Sequence, residues 1–175
     1  VATTLNSLGN LLSDMGRIEE AKGKYEKALE IYEKITEKDS KNRAYQLHVG
    51  TTICNLGNLL KDMGRYEEAK TRYEKTLEIY EKLLEKDPQN IEYQSYIGTT
   101  LSNFGSLFRN MGRVREAKIK FEKSLEIREK ILSRVPENIQ YQVDIGVILN
   151  NLGNLLADMG SAEEAKKRYD TALEV

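Results

Sequence analysis

The feature that most restricts how this chain can fold is a gapless internal repeat. The string LGNLL begins at Leu8, Leu56 and Leu152, and FGSLF begins at Phe104. Their glycines, Gly9, Gly57, Gly105 and Gly153, lie 48 residues apart (57 − 9, 105 − 57, 153 − 105). Three full units run 3–50, 51–98 and 99–146, and a partial fourth runs 147–175. A period in this range marks arrays whose units cannot bury their apolar faces alone and do so against their neighbours. Residues 1–175 therefore read as a single array.

Periodicity within the repeat is helical. From Ile91 the apolar positions are Tyr93, Ile97, Leu101, Phe104 and Phe108, in steps of 4, 4, 3 and 4. Gly112 suits the left-handed residue that closes a helix. A second stripe follows at Val114, Ala117, Phe121, Leu125 and Ile131, joined by Leu132, until Pro136 stops it. Asn138 is placed to cap the next helix. The spacing predicts helices over Ile91–Asn110 and Val114–Ser133. The same grammar recurs at Gly64, Pro88 and Asn90, while Ser40 stands where the later linkers have proline. Eight helices are expected, the first and last cut short. Strands are disfavoured, because alternation is absent and the second helices are rich in Glu, Lys, Leu and Ala. Glu78 with Lys82 and Glu126 with Lys130 form i,i+4 pairs in the favourable order.

Composition narrows the function. Hydrophobic residues at 39% are too many for a disordered segment, and no apolar run approaches the roughly 18 residues of a membrane span. The balance of 27 Lys and Arg against 28 Asp and Glu argues against a clustered basic surface of the kind nucleic-acid binding requires. Neither nucleic acid nor membrane is an expected partner. Cys54 is the single cysteine, so no internal disulfide forms. That fits a reducing compartment and gives a cytoplasmic expectation. The start, VATTLNSLGN, lacks a basic segment followed by an apolar one and has no initiator Met, which reads as a fragment or processed product.

Catalytic signals are weak. His48 is the only histidine, and six residues of helix turn it away from Cys54. It reads as a packing or surface residue. Glu67-Glu68 and Glu163-Glu164 open second helices, where the helix dipole favours them. Gly9, Gly57 and Gly105 lie inside helices with no basic partner, so they are not phosphate loops. A glycine there costs about 1 kcal/mol relative to alanine, and close helix approach is the expected return. The same holds for Gly50, Gly98 and Gly146, seven residues earlier. Gln46, Gln94 and Gln142 are expected to hydrogen-bond between neighbouring helices. No catalytic residue, metal or cofactor is predicted, and the chain is not read as an enzyme.

The segment LGNLLKDMGRYEEAKTRYEKTL, Leu56 to Leu77, resembles a tetratricopeptide repeat through Leu56-Gly57, Leu60, Gly64, Tyr66, Ala69, Tyr73 and Leu77. The same columns carry the resemblance through all four units. The family's usual repeat has about 34 residues; the period of 48 here is 14 longer. The excess divides into about two added turns per helix, which barely rotates the apolar face. In this the chain is similar to the repeats of kinesin light chains. Leu5, Ile53, Leu101 and Leu149 stand where the family has a tryptophan. The resemblance implies an all-α, right-handed superhelical α-solenoid of antiparallel helix pairs. It also implies a protein or extended-peptide ligand in a concave groove lined by the first helices.

Helical geometry selects the groove residues. Opposite the core side of Ile53, Leu56 and Leu60 lie Thr51, Asn55, Asn58 and Asp62. Their counterparts are Thr3, Ser7, Asn10 and Asp14; Thr99, Asn103, Ser106 and Asn110; and Val147, Asn151, Asn154 and Asp158. Beside them lie Asn6, Cys54, Ser102 and Asn150, with Lys61 and Arg109 at the flanks, where such cations can attract an acidic ligand but as lone long side chains are more often simply solvated. Each amide of such an asparagine ladder can donate to and accept from a peptide backbone unit. The plainer alternative is that these amides bridge neighbouring helices or are solvated. The cations that some members use to bind a C-terminal carboxylate are missing, since Asn6, Asn10, Asn55, Thr99 and Asn103 occupy the matching positions. A structural spacer is the rival function, and end-to-end self-association through uncapped termini is a further expectation.

Overall fold

The computed structural model describes residues 1–40 and 42–175. Among these residues there are eight helices: α1 Ala2–Asp14, α2 Ile18–Lys38, α3 Arg43–Asp62, α4 Tyr66–Lys86, α5 Ile91–Asn110, α6 Val114–Arg134, α7 Ile139–Asp158 and α8 Ala162–Glu174. The predicted spans of α5 and α6 agree with these bounds to within one residue. Contacts divide the chain into two compact units, Val1–Gln89 with α1 to α4, and Asn90–Val175 with α5 to α8. None of the described helices is long and apolar enough to cross a membrane.

Each pair is closed by the same turn. Gly16, Gly64, Gly112 and Gly160 have φ of +72°, +73°, +71° and +76°. A side chain in that region is strained, so glycine is required. The N–H of Gly64 donates to the Lys61 carbonyl at 3.0 Å and that of Arg65 to the Leu60 carbonyl at 2.8 Å. These bonds satisfy carbonyls that the end of α3 would otherwise leave open. The second helices α2, α4 and α6 then begin at an arginine folded onto the first turn, whereas α8 begins at Ser161. Arg65 donates to both carboxylate oxygens of Glu68 at 2.6 and 2.7 Å, and Arg17 binds Glu20 in the same way at 2.7 Å. Arg113 and Glu116 repeat the fork. The sequence reading gave Glu68 only the helix dipole; Arg65 is its closer partner.

Between pairs the cap is asparagine. Asn42, Asn90 and Asn138 each accept a backbone N–H through Oδ1, at 3.1 Å from Ala44, 3.1 Å from Tyr93 and 3.2 Å from Tyr141. Two of the three glutamines act locally and do not link helices. Gln46 Nε2 donates to the Ser40 carbonyl at 2.7 Å, and Gln142 Nε2 to the Pro136 carbonyl at 3.1 Å, tying down the linkers before their own helices. Only Gln94 reaches another helix, accepting from Arg134 at 3.4 Å.

Small residues set the distance within each pair. Ala21, Ala69, Ala117 and Ala165 are buried. Opposite the glycine of the repeated LGNLL or FGSLF string lies a ring: an ideal Cβ on Gly9 would stand 2.6 Å from Tyr25, on Gly57 2.8 Å from Tyr73, on Gly105 2.8 Å from Phe121 and on Gly153 2.5 Å from Tyr169. The ring takes the space that a methyl would occupy, so the glycine's propensity cost is offset by aromatic burial.

Candidate binding surface on the first helices

The tyrosines that fill the glycine notches also organise the predicted groove. In the first unit Tyr25 Oη donates to Asn10 Oδ1 at 2.8 Å, and Tyr73 Oη donates to Asn58 Oδ1 at 2.7 Å. In the second unit Tyr169 Oη donates to Asn154 Oδ1 at 2.7 Å. Each bond spans 15 positions, across the turn from the second helix to the first. The third repeat lacks the hydroxyl, having Phe121, and it also lacks the amide, having Ser106. Ser106 bonds its own helix instead, donating to the Ser102 carbonyl at 3.2 Å. Asparagine thus occurs in this column only where a phenol needs an acceptor. The phenol takes the amide oxygen, so the NH2 is the group left to donate.

Neighbouring first helices are also tied by side chains. Asn55 Nδ2 donates to Asn10 Oδ1 at 3.1 Å and to Asn6 Oδ1 at 3.4 Å, linking α3 to α1. Thr51 Oγ1 donates to the Leu47 carbonyl at 3.0 Å and lies 3.1 Å from Tyr80 Oη. Lys61, predicted as a solvated flank, is half-buried and pairs with exposed Asp62 at 3.4 Å. In the second unit Arg109, predicted likewise, donates to Asp158 Oδ2 at 3.0 and 2.8 Å, linking α5 to α7. Asn103 and Asn151 are half-buried and Asn150 is exposed. Cys54, expected beside the groove, is buried in the core because its position on α3 turns toward the neighbouring helices. His48 packs, its ring stacked on Tyr32 at 5.1 Å.

Burial raises the phenol pKa values. Tyr25 is pushed up to about 12 by desolvation, with the Asp14 charge adding to it. Tyr73 is pushed up further by desolvation, then by Cys54 and Asp62. Both therefore remain neutral donors across the physiological range.

One charged residue was missed by sequence reasoning. Arg128 of α6 is 4% exposed. Its Nη2 donates to Thr99 Oγ1 at 2.5 Å and lies 3.2 Å from Asp144 Oδ2, while Nη1 donates to Ser95 Oγ at 2.6 Å. Burial pulls its pKa down, against the opposing pull of Asp144 and Tyr141. The available signal was a break in a column: the equivalent residues are Tyr32 and Tyr80.

Family models described as tetratricopeptide repeat match residues 48–130, and residues 1–40 and 147–175. No curated protein matches the chain. Among solved structures it is similar to BtubC (BKLC) from P. vanneervenii, at 22% identity and a TM-score of 0.77, over 99% of this chain and 62% of that one. The apo form of RapI gives 15% identity and a TM-score of 0.73, over 98% and 54%. PilF of Pseudomonas aeruginosa gives 18% identity and a TM-score of 0.59, over 99% and 60%. The chain spans 54% to 62% of the length of these proteins, and at these identities the likeness is one of fold.

Proposed function

Because the chain belongs to the tetratricopeptide repeat family, whose repeats mediate protein–protein interaction, we propose that it is a binding scaffold for an extended peptide. The peptide lies along the first helices. The observation that carries this reading is the hold of tyrosine on asparagine. Asn10, Asn58 and Asn154 are fixed by their oxygens, which leaves their NH2 groups to donate. Donors at helical intervals suit the carbonyls of an extended backbone with little demand on its side chains. Asn6, Asn55, Thr51 and Asp62 belong to the same face in the first unit, and Thr99, Asn103, Asn150 and Asn151 in the second. The reading takes residues 1–175 as one array, since the period passes the boundary at Gln89 and Asn90 without a gap. The family is typically non-enzymatic, and no catalytic role, cofactor or nucleic-acid partner is proposed. A cytoplasmic site of action fits the single cysteine.

The test replaces the amides without disturbing the fold. Asn58→Ser with Tyr73→Phe, and Asn154→Ser with Tyr169→Phe, copy the Ser106 and Phe121 pair that the third repeat already uses. Peptides selected from a random display library on the parent chain should lose roughly tenfold or more in affinity for this variant, a change of about 1.4 kcal/mol. The melting temperature should stay within a few degrees. Equal affinity, or no peptide selected, would overturn the reading.

A second reading rests on a separate observation. Leu8 and Leu11 of α1 are 37% and 56% exposed, whereas Leu56 and Leu59 in the same columns are 3% and 1%. Leu173 of α8 is 87% exposed, against 9% and 7% for Leu77 and Leu125. These faces match surfaces that interior repeats bury, so copies of the chain associate end to end. Sedimentation should give a mass that rises with concentration and falls to that of a monomer in Leu11→Lys. A constant monomer mass for the parent would remove this reading.

A further inference from the structure

The third repeat differs from its siblings at the one buried charge in the chain's described core. In the first repeat Tyr32 stacks on His48 and its hydroxyl lies 2.9 Å from Thr3 Oγ1. Arg128 replaces that ring, and Asp144 stands in the column of His48. An open-mouthed cavity of about 190 Å³ lies here between α5, α6 and α7. Thr99, Ser102, Asn103, Arg128, Asp144 and Val147 line it. It is large enough for several waters or one small polar group. Beside Gly98, which also lines it, the buried Nε–H of Arg128 has no acceptor among the described residues. A buried donor without an acceptor is uncommon and calls for an explanation.

We propose that this cavity is a binding site for an uncharged carboxamide, the side chain of a glutamine or asparagine in a bound peptide. The proposal deepens the peptide-scaffold reading and rests on it. Charge selects the class. Arg128 and Asp144 lie 3.2 Å apart and cancel, so a carboxylate that gains the first meets repulsion from the second, and an ammonium the reverse. Hydrogen-bond polarity completes the match. Thr99 Oγ1 already accepts from Arg128, so its own proton is available to donate. Asp144 Oδ1 accepts from Gln140 Nε2 at 3.0 Å, while Oδ2, beside the guanidinium, keeps accepting capacity. A carboxamide oxygen takes the Thr99 and Arg128 donors and its NH2 gives to Asp144. Exposed Val147 at the mouth covers the methylenes.

The test uses small fragments, so it does not need the natural ligand. The Nε–H resonance of Arg128 in the nitrogen-15-labelled chain is identified by its loss in Arg128→Lys and followed against propionamide, propionate and propylammonium. Propionamide should give a saturable shift in the millimolar range expected of so small a ligand. Propionate and propylammonium should bind about tenfold more weakly or not at all. Asp144→Asn keeps the shape and removes the negative charge, so there the order should reverse, with propionate ahead of propionamide. No saturable shift with propionamide, or an unchanged order in Asp144→Asn, would overturn the proposal. If peptides still depend on Asn58 and Asn154 when propionamide fails, the scaffold reading stands and the carboxamide site falls. If propionamide binds but no peptide is selected, the scaffold reading fails and the site remains as a fragment site only.

Discussion

Alanine in place of a helical glycine should have opposite effects at two positions of this chain. Gly57 and Gly23 both lie inside helices, in α3 and α2. By propensity alone each Gly→Ala change stabilises by about 1 kcal/mol. At Gly23 nothing lies within 4 Å of the added Cβ, so the full gain is expected. At Gly57 the methyl meets Tyr73 Cε1 at 2.8 Å and Cδ1 at 3.0 Å, and Arg72 Cβ at 3.3 Å. Tyr73 is fully buried and its hydroxyl is held by Asn58, so the ring cannot swing away without losing both packing and that bond. Overpacking of a tight core costs about 1–3 kcal/mol. Set against the propensity gain, Gly57→Ala should destabilise by up to about 2 kcal/mol. Urea unfolding followed by circular dichroism reads both changes as shifts in midpoint at constant slope. The midpoint should rise for Gly23→Ala and fall for Gly57→Ala. A rise in both would show that the ring does not occupy the notch and would refute the argument.

Ala69→Leu places a branched side chain at a fully buried position of α4 and should destabilise by about 1–3 kcal/mol; an unchanged unfolding midpoint would contradict the register. Alkaline pH should unfold the protein through Tyr25 and Tyr73. Tyr25 titrates at about 12 in the folded chain against an ordinary 10.0, so the unfolded chain loses its proton first. Stability is then fully present below pH 10 and falls as the pH rises toward 12, with Tyr73, also raised, acting in the same direction. Tyrosinate absorbance and helicity should change together above pH 10, and complete tyrosine ionisation near pH 10 with intact helices would contradict the burial.

Most of the fold was legible because the repeat supplies four readings of one grammar. Gly64 and Gly112 marked turns that only a positive φ permits, and Asn90 and Asn138 marked caps, since both signals act within a few residues. The groove was legible as a face but not as a set of bonds. The tie between Tyr73 and Asn58 joins two helices, and no local rule connects them. Reading both columns together would have revealed it, because Phe121 and Ser106 change in concert. Arg109 and Lys61 were placed in solvent because a long cation usually lies there, whereas carboxylates stand within reach of both: Asp158 on the next first helix for Arg109, and the adjacent Asp62 for Lys61. Arg128 escaped notice for a different reason. Apolar stripes are sought by what fits them, and a buried charge is tolerated only through partners supplied by two other helices.

The three-residue connection at each positive-φ glycine has a kinetic consequence. It closes a hairpin whose side-chain bonds span 15 positions at the notch, 26 where Ser124 donates to the Gly98 carbonyl, and 29 where Thr51 meets Tyr80. The longest described within either unit, such as Arg109 with Asp158, span 49. Loop-closure entropy grows only slowly with separation, and no step here requires distant chain segments to meet. Each hairpin can therefore form early on its own sequence, with docking onto a neighbour as the next event. Gly64 and Gly112 then act on the rate of folding as well as on its equilibrium. A substitution that slows closure of one hairpin should leave the intrinsic closure rate of the others intact.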